Sequence, residues 1–334
     1  MERDGGAPWQ LLRLLDGFVT TQLLYVAAEL NVADVLADGP RTGAEVAAAV
    51  GVDATALQRI LRGLVIEDVL AEDADGRFTL TRVGEALIPL RGAARVRGGL
   101  YYASAAGLLE TVRHGGSAFE HMYGEPFFAY LAAHPDHDAA FQASMAGRSE
   151  QEAGDVVAAY DLSGVDQIVD VGGGRGVLLA GLLRAAPEAT GVLLDREPVL
   201  PTAREHLEAA GVADRVKCVA GDFFAEVPEG GDLYVLSRVL HDWHDGDAGR
   251  ILATCRRAMR PGSRLAVVEA VVPARAKDAP AVVRMDLHML LLFGARERTE
   301  REFRDLLAAS GFSVQRVVPT ASPAGLAVIE AVPV

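Results

Sequence analysis

The chain comprises 334 residues, half of them apolar and 23% charged, with a net charge of -14. That length buries the core of one large or two ordinary domains, and the acidic balance removes the basic face that binding to nucleic-acid phosphates requires. Two cysteines, Cys218 and Cys255, form neither a disulfide framework nor a metal-ligand spacing and suit a reducing compartment.

The opening "MERDGGAPWQLLRLLDG" lacks the charged, apolar and small-residue order of a signal peptide, so a soluble cytoplasmic protein is expected. "TTQLLYVAAELNVADVLA" has the apolar spacing of an amphipathic helix. "RTGAEVAAAVG" follows, with Thr42 and Glu45 as a capping box and a stop at Gly51; Asp53 then caps "ATALQRILRGLVIEDVL". Asp75 and Gly76 mark a turn between short extended pieces in "AEDADGRFTLT". Two helices and a ribbon outline a winged helix. A DNA reader needs a basic recognition helix, yet Arg59 and Arg62 are followed there by Glu67 and Asp68. The expected role of residues 1–100 is packing against a second copy, because helices this apolar need cover.

Residues 101–160 read as helices broken at "RHGGSAFE" and "AAHPDHD", a helical linker contributing to a substrate pocket. Over residues 161–334 the pattern changes. "QIVDVG", "TGVLLD", "VKCVAGD", "DLYVLSRVL" and "SRLAVVEAV" are short buried-strand runs alternating with helical segments such as "AREHLEAAG". Such alternation predicts an α/β domain with a mainly parallel, doubly wound sheet. The apolar run "MDLHMLLLFGA" is too short to span a membrane and carries Asp286 and His288. Gly311 ends the last helix, and "FSVQRVV" and "AGLAVIEAV" are expected to form an antiparallel edge pair.

In an open α/β sheet the ligand lies beyond the carboxyl ends of the strands, which singles out the loop in "IVDVGGGRGVLLAGLL". Glycine lets a ligand approach the backbone there. A phosphate loop would close with Gly-Lys-Ser/Thr, but Gly176 precedes Val177. A dinucleotide fingerprint counted from Gly172 and Gly174 also ends on Val177, which fits it poorly. Instead an acid, Asp170, stands two residues before Gly172; it disfavours a pyrophosphate and suits an amino group. Asp195, ending "TGVLLD", is placed to accept ribose hydroxyls. Asp222, ending "VKCVAGD", can accept from an exocyclic amine, with Phe223 and Phe224 offering a face to a purine. Singly each acid is an ordinary solvated strand end. Together, after consecutive strands, they describe S-adenosylmethionine.

At these residues the chain resembles the S-adenosylmethionine-dependent O-methyltransferases of the caffeic-acid and hydroxyindole type, whose bacterial members act in antibiotic and phenazine biosynthesis. "DVGGGRG", "GDFF", "SRVLHDW" and "GARERTEREF" carry the resemblance, which extends over nearly the whole chain. It implies a Rossmann-like seven-stranded methyltransferase sheet with one antiparallel strand. It also implies an N-terminal winged-helix dimerisation domain, a homodimer, a small aromatic substrate and no metal. Cofactor contacts are implied at Gly172, Asp195, Asp222, Phe223 and Arg238, with Ser149 on the preceding helix. Where the plant pattern has a lysine four residues before the "HDW" histidine, this chain has Ser237, leaving Arg238 as the candidate for the cofactor carboxylate.

Among the histidines, His134 and His137 in "HPDHD" and the pair His241 and His244 in "HDWHD" lack a third nearby metal ligand. His288, on an apolar helix, suits packing. His241 differs by position, following "DLYVLSRVL" at the carboxyl edge of the sheet; Glu269 ends the next strand and Glu297 lies in "GARERTE". A near-neutral histidine with two carboxylates suits abstraction of a phenol proton, one carboxylate fixing the tautomer. The resemblance gives the base to His241 and its support to Glu269 and Glu297. Asp242 either assists the cofactor or caps the next helix. Phe141, Met145, Met289 and Phe293 are core residues or pocket walls, and the resemblance favours Met145 and Met289 as walls. The expected activity is methyl transfer to a phenolic or N-hydroxyl oxygen of an aromatic secondary metabolite. One alternative is a relative that uses the bound sulfonium for hydroxylation or pericyclic chemistry, which the presence of His241, Glu269 and Glu297 disfavours. A DNA-binding regulator is disfavoured by the acidic winged module.

Overall fold

The structure is a computed structural model that describes residues 6–334, apart from the side chains of residues 146–148. It divides into two compact units: the chain up to Glu110 with Phe119–Gly147, and Thr111–Ala118 with Arg148–Val334. The helices expected as a separate linker over residues 101–160 are therefore shared between the units. Ring packing explains the first half of that division: Phe119 meets Phe127 edge-on at 5.0 Å and Tyr130 at 5.2 Å. The far end of helix Pro135–Ala159 belongs with the sheet, where Val156 and Tyr160 join the core around Ile168.

In the first unit the single helix expected over "TTQLLYVAAELNVADVLA" is two, Gly17–Glu29 and Val32–Ala37. Asn31 separates them at φ +53°, a left-handed conformation that asparagine tolerates. The Thr42–Glu45 capping box is present, and Asp53 accepts from the Ala56 amide at 2.7 Å to open helix Ala54–Ile66. That helix stops four residues short of Leu70. Asp68, at φ +55°, turns the chain into strand Leu70–Glu72, which pairs with Arg77–Leu80. Between these strands the Asp73 carboxylate accepts from the Asp75 and Arg77 amides, and Gly76 supplies the left-handed residue of the turn. Leu36, Val46, Leu57, Leu61, Leu64 and Phe78 fill the core of this unit. Trp9, Leu11, Leu14, Leu15 and Phe18 stay outside it, exposed. Among the described residues no single helix is long and apolar enough to cross a membrane; the first two pass such a test only together, bent by 41°.

The second unit is built on seven strands: β1 Gln167–Val171, β2 Thr190–Asp195, β3 Val216–Ala220, β4 Leu233–Ser237, β5 Arg264–Val272, β6 Phe312–Pro319 and β7 Leu326–Pro333. Their order is β3-β2-β1-β4-β5-β7-β6. The first five are parallel, and β7 runs antiparallel to both neighbours. The expected C-terminal pair is thus formed with β7 inserted between β5 and β6. A two-residue strand, Arg298–Thr299, lies parallel beside the end of β5.

The sheet is covered on both faces, and the period-two alternation of its strands sorts residues between them. Val169, Val171, Leu194, Leu236 and Val267 pack with Ile251 and Cys255 of helix Asp245–Ala258 and Phe303 of helix Glu300–Ala309. Ile168, Leu193, Val235 and Val268 pack on the other side with Leu179 of helix Val177–Ala185 and Leu207 of helix Leu200–Ala209. Burial pushes the Cys255 thiol up to about 12, so it serves as a small apolar residue. Strand order reverses between β1 and β4, and the carboxyl ends of those two strands open the crevice where an α/β fold binds its ligand.

Candidate active site

The glycine loop follows β1. The amides of Gly172 and Gly173 both donate to the carbonyl of Leu194, at 2.8 and 3.3 Å, tying the loop to the end of β2. Gly172 has φ +72°, and a Cβ there would lie 3.0 Å from Val239 and 3.4 Å from Phe223, so the loop accepts no side chain at that point. Gly174 donates its amide to Asp195 Oδ2 at 2.8 Å, and Arg196 donates to Oδ1 at 2.7 Å. Each carboxylate oxygen keeps a further lone pair for ribose hydroxyls. Asp222 is exposed, and its Oδ1 accepts from the Phe224 amide at 2.8 Å. Phe223 lies against Gly172, whereas Phe224 is held edge-on by Trp243 at 4.8 Å and covered by the Arg250 guanidinium.

Asp170 does not stand at the loop surface as the sequence suggested. It is 2% exposed, beneath Gly173, and its Oδ2 has no hydrogen-bond partner. Burial first, and the Asp195 charge second, raise its carboxyl to about 7. A backbone cradle bordered by carboxylates fits a ligand with a ribose and a positive charge, and repels a pyrophosphate.

The second half of the site comes from the turn after β4. Arg238 sits at φ +56°, a left-handed conformation that costs a non-glycine residue about 1 kcal/mol. It directs the next amides to one point: Val239, Leu240 and His241 donate to Glu269 Oε1 at 3.0, 2.9 and 3.4 Å. Such a backbone nest suits an anion. Glu269, on β5, is fully buried. The His241 ring lies with Nδ1 2.9 Å from Glu297 Oε1 and 3.7 Å from Glu269 Oε2, while Asp242 Oδ1 is 3.5 Å from Nε2. Glu297 is held in turn by its own amide, which donates to Asp286 Oδ1 at 2.9 Å. With the Nδ1 proton donated to Glu297, Nε2 is the nitrogen that accepts. The ligating atoms of His241, Glu269 and Glu297 also lie within 4.8 Å of one another, a spacing a cation would tolerate.

Burial by itself would lower the His241 pKa, but Glu269, then Asp242 and Glu297, outweigh it and raise the imidazole to about 9. This corrects the near-neutral value expected from the sequence, since the fold sets three carboxylates around one ring in a dry site. Burial also raises Glu269 to about 7 and Asp242 to about 6, in both cases against the His241 charge. Asp242 is not a helix cap, because helix Asp245–Ala258 begins after His244; it faces the imidazole.

Arg238, the residue expected to meet the cofactor carboxylate, carries the turn after β4. Its Nη2 donates to Glu152 Oε1 at 2.8 Å and its Nη1 stands 3.7 Å from Glu297 Oε1, so the protein's own carboxylates engage the guanidinium. Ser149 lies one turn ahead of Glu152 on helix Pro135–Ala159. Phe141 and Met145 are on the part of that helix in the first unit, where Phe141 packs edge-on against Phe127 at 5.2 Å. Met289, buried, and Phe293, half-buried, are on helix Pro280–Phe293 of the second unit. His134 and His137 are occupied by Tyr130, which accepts from or bonds to both rings through its carbonyl and hydroxyl. Sequence reasoning missed Glu152, Asp286 and Arg298. Only Arg298 left a signal, as a charge next to Glu297.

Comparison with known proteins matches residues 106–313 to an O-methyltransferase domain and residues 12–89 to an O-methyltransferase dimerisation domain. The phenazine O-methyltransferase PhzM of Lysobacter antibioticus is 43% identical over 340 residues, covering 99% of this chain and 98% of the relative. The 8-amino-8-demethylriboflavin N,N-dimethyltransferase of Streptomyces davaonensis is 37% identical over 310 residues, covering 89% and 88%. The crystal structure of NcsB1, an O-methyltransferase from neocarzinostatin biosynthesis in complex with S-adenosylmethionine and 2-hydroxy-5-methyl naphthoic acid, superposes with a TM-score of 0.82. Its identity is 34%, covering 94% of this chain and 96% of that one.

Proposed function

The chain belongs to the S-adenosylmethionine-dependent O-methyltransferase family, and from that premise we propose that it methylates a phenolic or N-hydroxyl oxygen of an aromatic secondary metabolite, with His241 as general base. The observation that carries this reading is the 2.9 Å contact between Nδ1 and Glu297, which leaves Nε2 as the acceptor of a proton. S-adenosylmethionine supplies the chemistry of an electrophilic methyl group on a sulfonium. Gly172, Asp195, Asp222 and Phe223 would hold it, with Ser149 as a further contact.

A phenol near pKa ~10 is mostly protonated at neutral pH. The neutral form of an imidazole whose conjugate acid titrates at about 9, populated as pH rises, is closely matched to it, so from that form the proton passes to Nε2 with little uphill cost. Glu269, Asp242 and Glu297 then hold the imidazolium. A positioned base of this kind contributes about 10²- to 10⁴-fold. Met289 and Phe293, on helix Pro280–Phe293, are proposed as pocket walls.

The N-terminal module, residues 1–100, is proposed to join two copies into a homodimer. The exposed Trp9, Leu11, Leu14, Leu15 and Phe18 give it an apolar face that a second chain would cover. The protein is read as soluble and cytoplasmic, in keeping with its two free cysteines. N-methylation is the second reading, favoured by the riboflavin-type relative. Incubation with methyl-labelled S-adenosylmethionine and a panel of phenols, phenazines, anthraquinones and arylamines tests both. Label on an aryl oxygen supports the proposal. Label only on nitrogen, or on none of the panel, refutes it.

A further inference from the structure

We propose that Arg298 is a positioning residue that sets where the His241 ring points, a role resting on the reading of His241 as the base. Arg298 is 1% exposed, among the most deeply buried large side chains of the molecule. Its Nη1 donates to the Leu240 carbonyl at 2.8 Å and its Nη2 to the Trp243 carbonyl at 2.8 Å. Those two carbonyls bracket His241 and Asp242 in the chain. The same guanidinium donates through Nε and Nη2 to Asp245 Oδ1, at 3.0 and 2.8 Å. One rigid fork therefore ties both ends of the catalytic turn to the first residue of the following helix.

The Leu240 residue is held from both sides, its amide by Glu269 and its carbonyl by Arg298. Arg298 itself is registered against the strand that carries Glu269: it pairs with Val271 on β5, and Thr299 pairs with Val272. Thr299 then closes a capping box with Glu302 that fixes the start of helix Glu300–Ala309. Three consecutive residues thus have three tasks. Glu297 tethers Nδ1, Arg298 holds the backbone that carries the ring, and Thr299 anchors the pair. Charge alone does not account for Arg298, because a lysine would bring the same charge. A single ammonium on a flexible stem lacks the planar fork that reaches two carbonyls and a carboxylate together.

The test is Arg298→Lys, with Asp245→Asn as a second variant that leaves both carbonyl bonds in place. Turnover of Arg298→Lys is expected to fall about 10- to 100-fold, the scale of a ring misplaced by ~1 Å. Its affinity for S-adenosylhomocysteine should stay within about two-fold, since Arg298 donates to none of the residues assigned to the cofactor. A purely structural role would spare the imidazole, so the deciding readout is the nitrogen-15 NMR titration of His241. Its pKa should drop from about 9 toward the ordinary histidine value as the Nδ1–Glu297 contact loosens. Asp245→Asn should shift both readouts in the same direction by less. An unchanged His241 titration in either folded variant overturns the proposal, even if melting temperatures fall. The titration reads ring position without turnover, so its outcome is separate from failure of the base assignment, which His241→Ala reports.

Discussion

Asp170→Asn isolates the cost of one buried acid beneath the cofactor loop. Its carboxyl is raised to about 7 from an unfolded value near ~3.8, because burial and the Asp195 charge disfavour the ionised form. A raised acid destabilises the fold when it must ionise. The penalty is absent below the unfolded pKa, grows as pH climbs, and is complete above the folded one. Three units correspond to about 4 kcal/mol above pH ~7, and to about 2 kcal/mol near pH ~5. Asparagine keeps the shape beneath Gly173 and removes the charge. The variant should therefore gain about 4 kcal/mol in urea unfolding at pH ~8 and nothing below pH ~4. Denaturation curves at those values, with circular dichroism as the probe, measure the difference directly. A loss at pH ~8 would show that Asp170 is ionised and paired in the folded protein, contrary to its unpartnered Oδ2, and a gain independent of pH would show that its carboxyl is not raised.

Asp195→Ala removes the acceptor that fixes Gly174 and the proposed ribose site, and should weaken S-adenosylhomocysteine binding about 100-fold by calorimetry, the scale of two charge-assisted hydrogen bonds. Equal affinity would sink the ribose assignment. Turnover relative to free enzyme and substrate should rise with pH and level off near 9, because Nε2 can accept the acceptor's proton only while the ring is neutral; a profile flat from pH ~6 upward contradicts it. Light scattering should give twice the mass of one chain, and replacing exposed Leu14 and Leu15 with serine should shift it toward one. A wild-type monomer removes the role given to the N-terminal helices.

Much of this was legible because local chemistry decided it. The Thr42–Glu45 box, the Asp53 cap and the Gly76 turn are spelled by neighbours in the chain, and each forms as read. The strand runs of the second unit stand out because a doubly covered sheet needs continuous apolar residues. The helix break at Asn31 was hidden, since the apolar spacing runs through it and only the backbone angle at one residue differs. In the site, His241 was findable from its place after a strand, and Glu269 and Glu297 from the family resemblance; Glu269 lies within β5, three residues before its end. The rise of His241 to about 9 was not, because it depends on Asp242 lying 3.5 Å from Nε2 and on how dry the cluster is. The Arg238–Glu152 contact was hidden for a similar reason: the two residues are 86 positions apart.

His241→Ala measured alongside wild type, with turnover and cofactor affinity taken on the same samples, reaches the centre of the account. Removing the ring should cost about 10²- to 10⁴-fold in turnover at neutral pH while S-adenosylhomocysteine binds as before. Methylation at the wild-type rate, in a variant that still binds the cofactor, contradicts the assignment of the base.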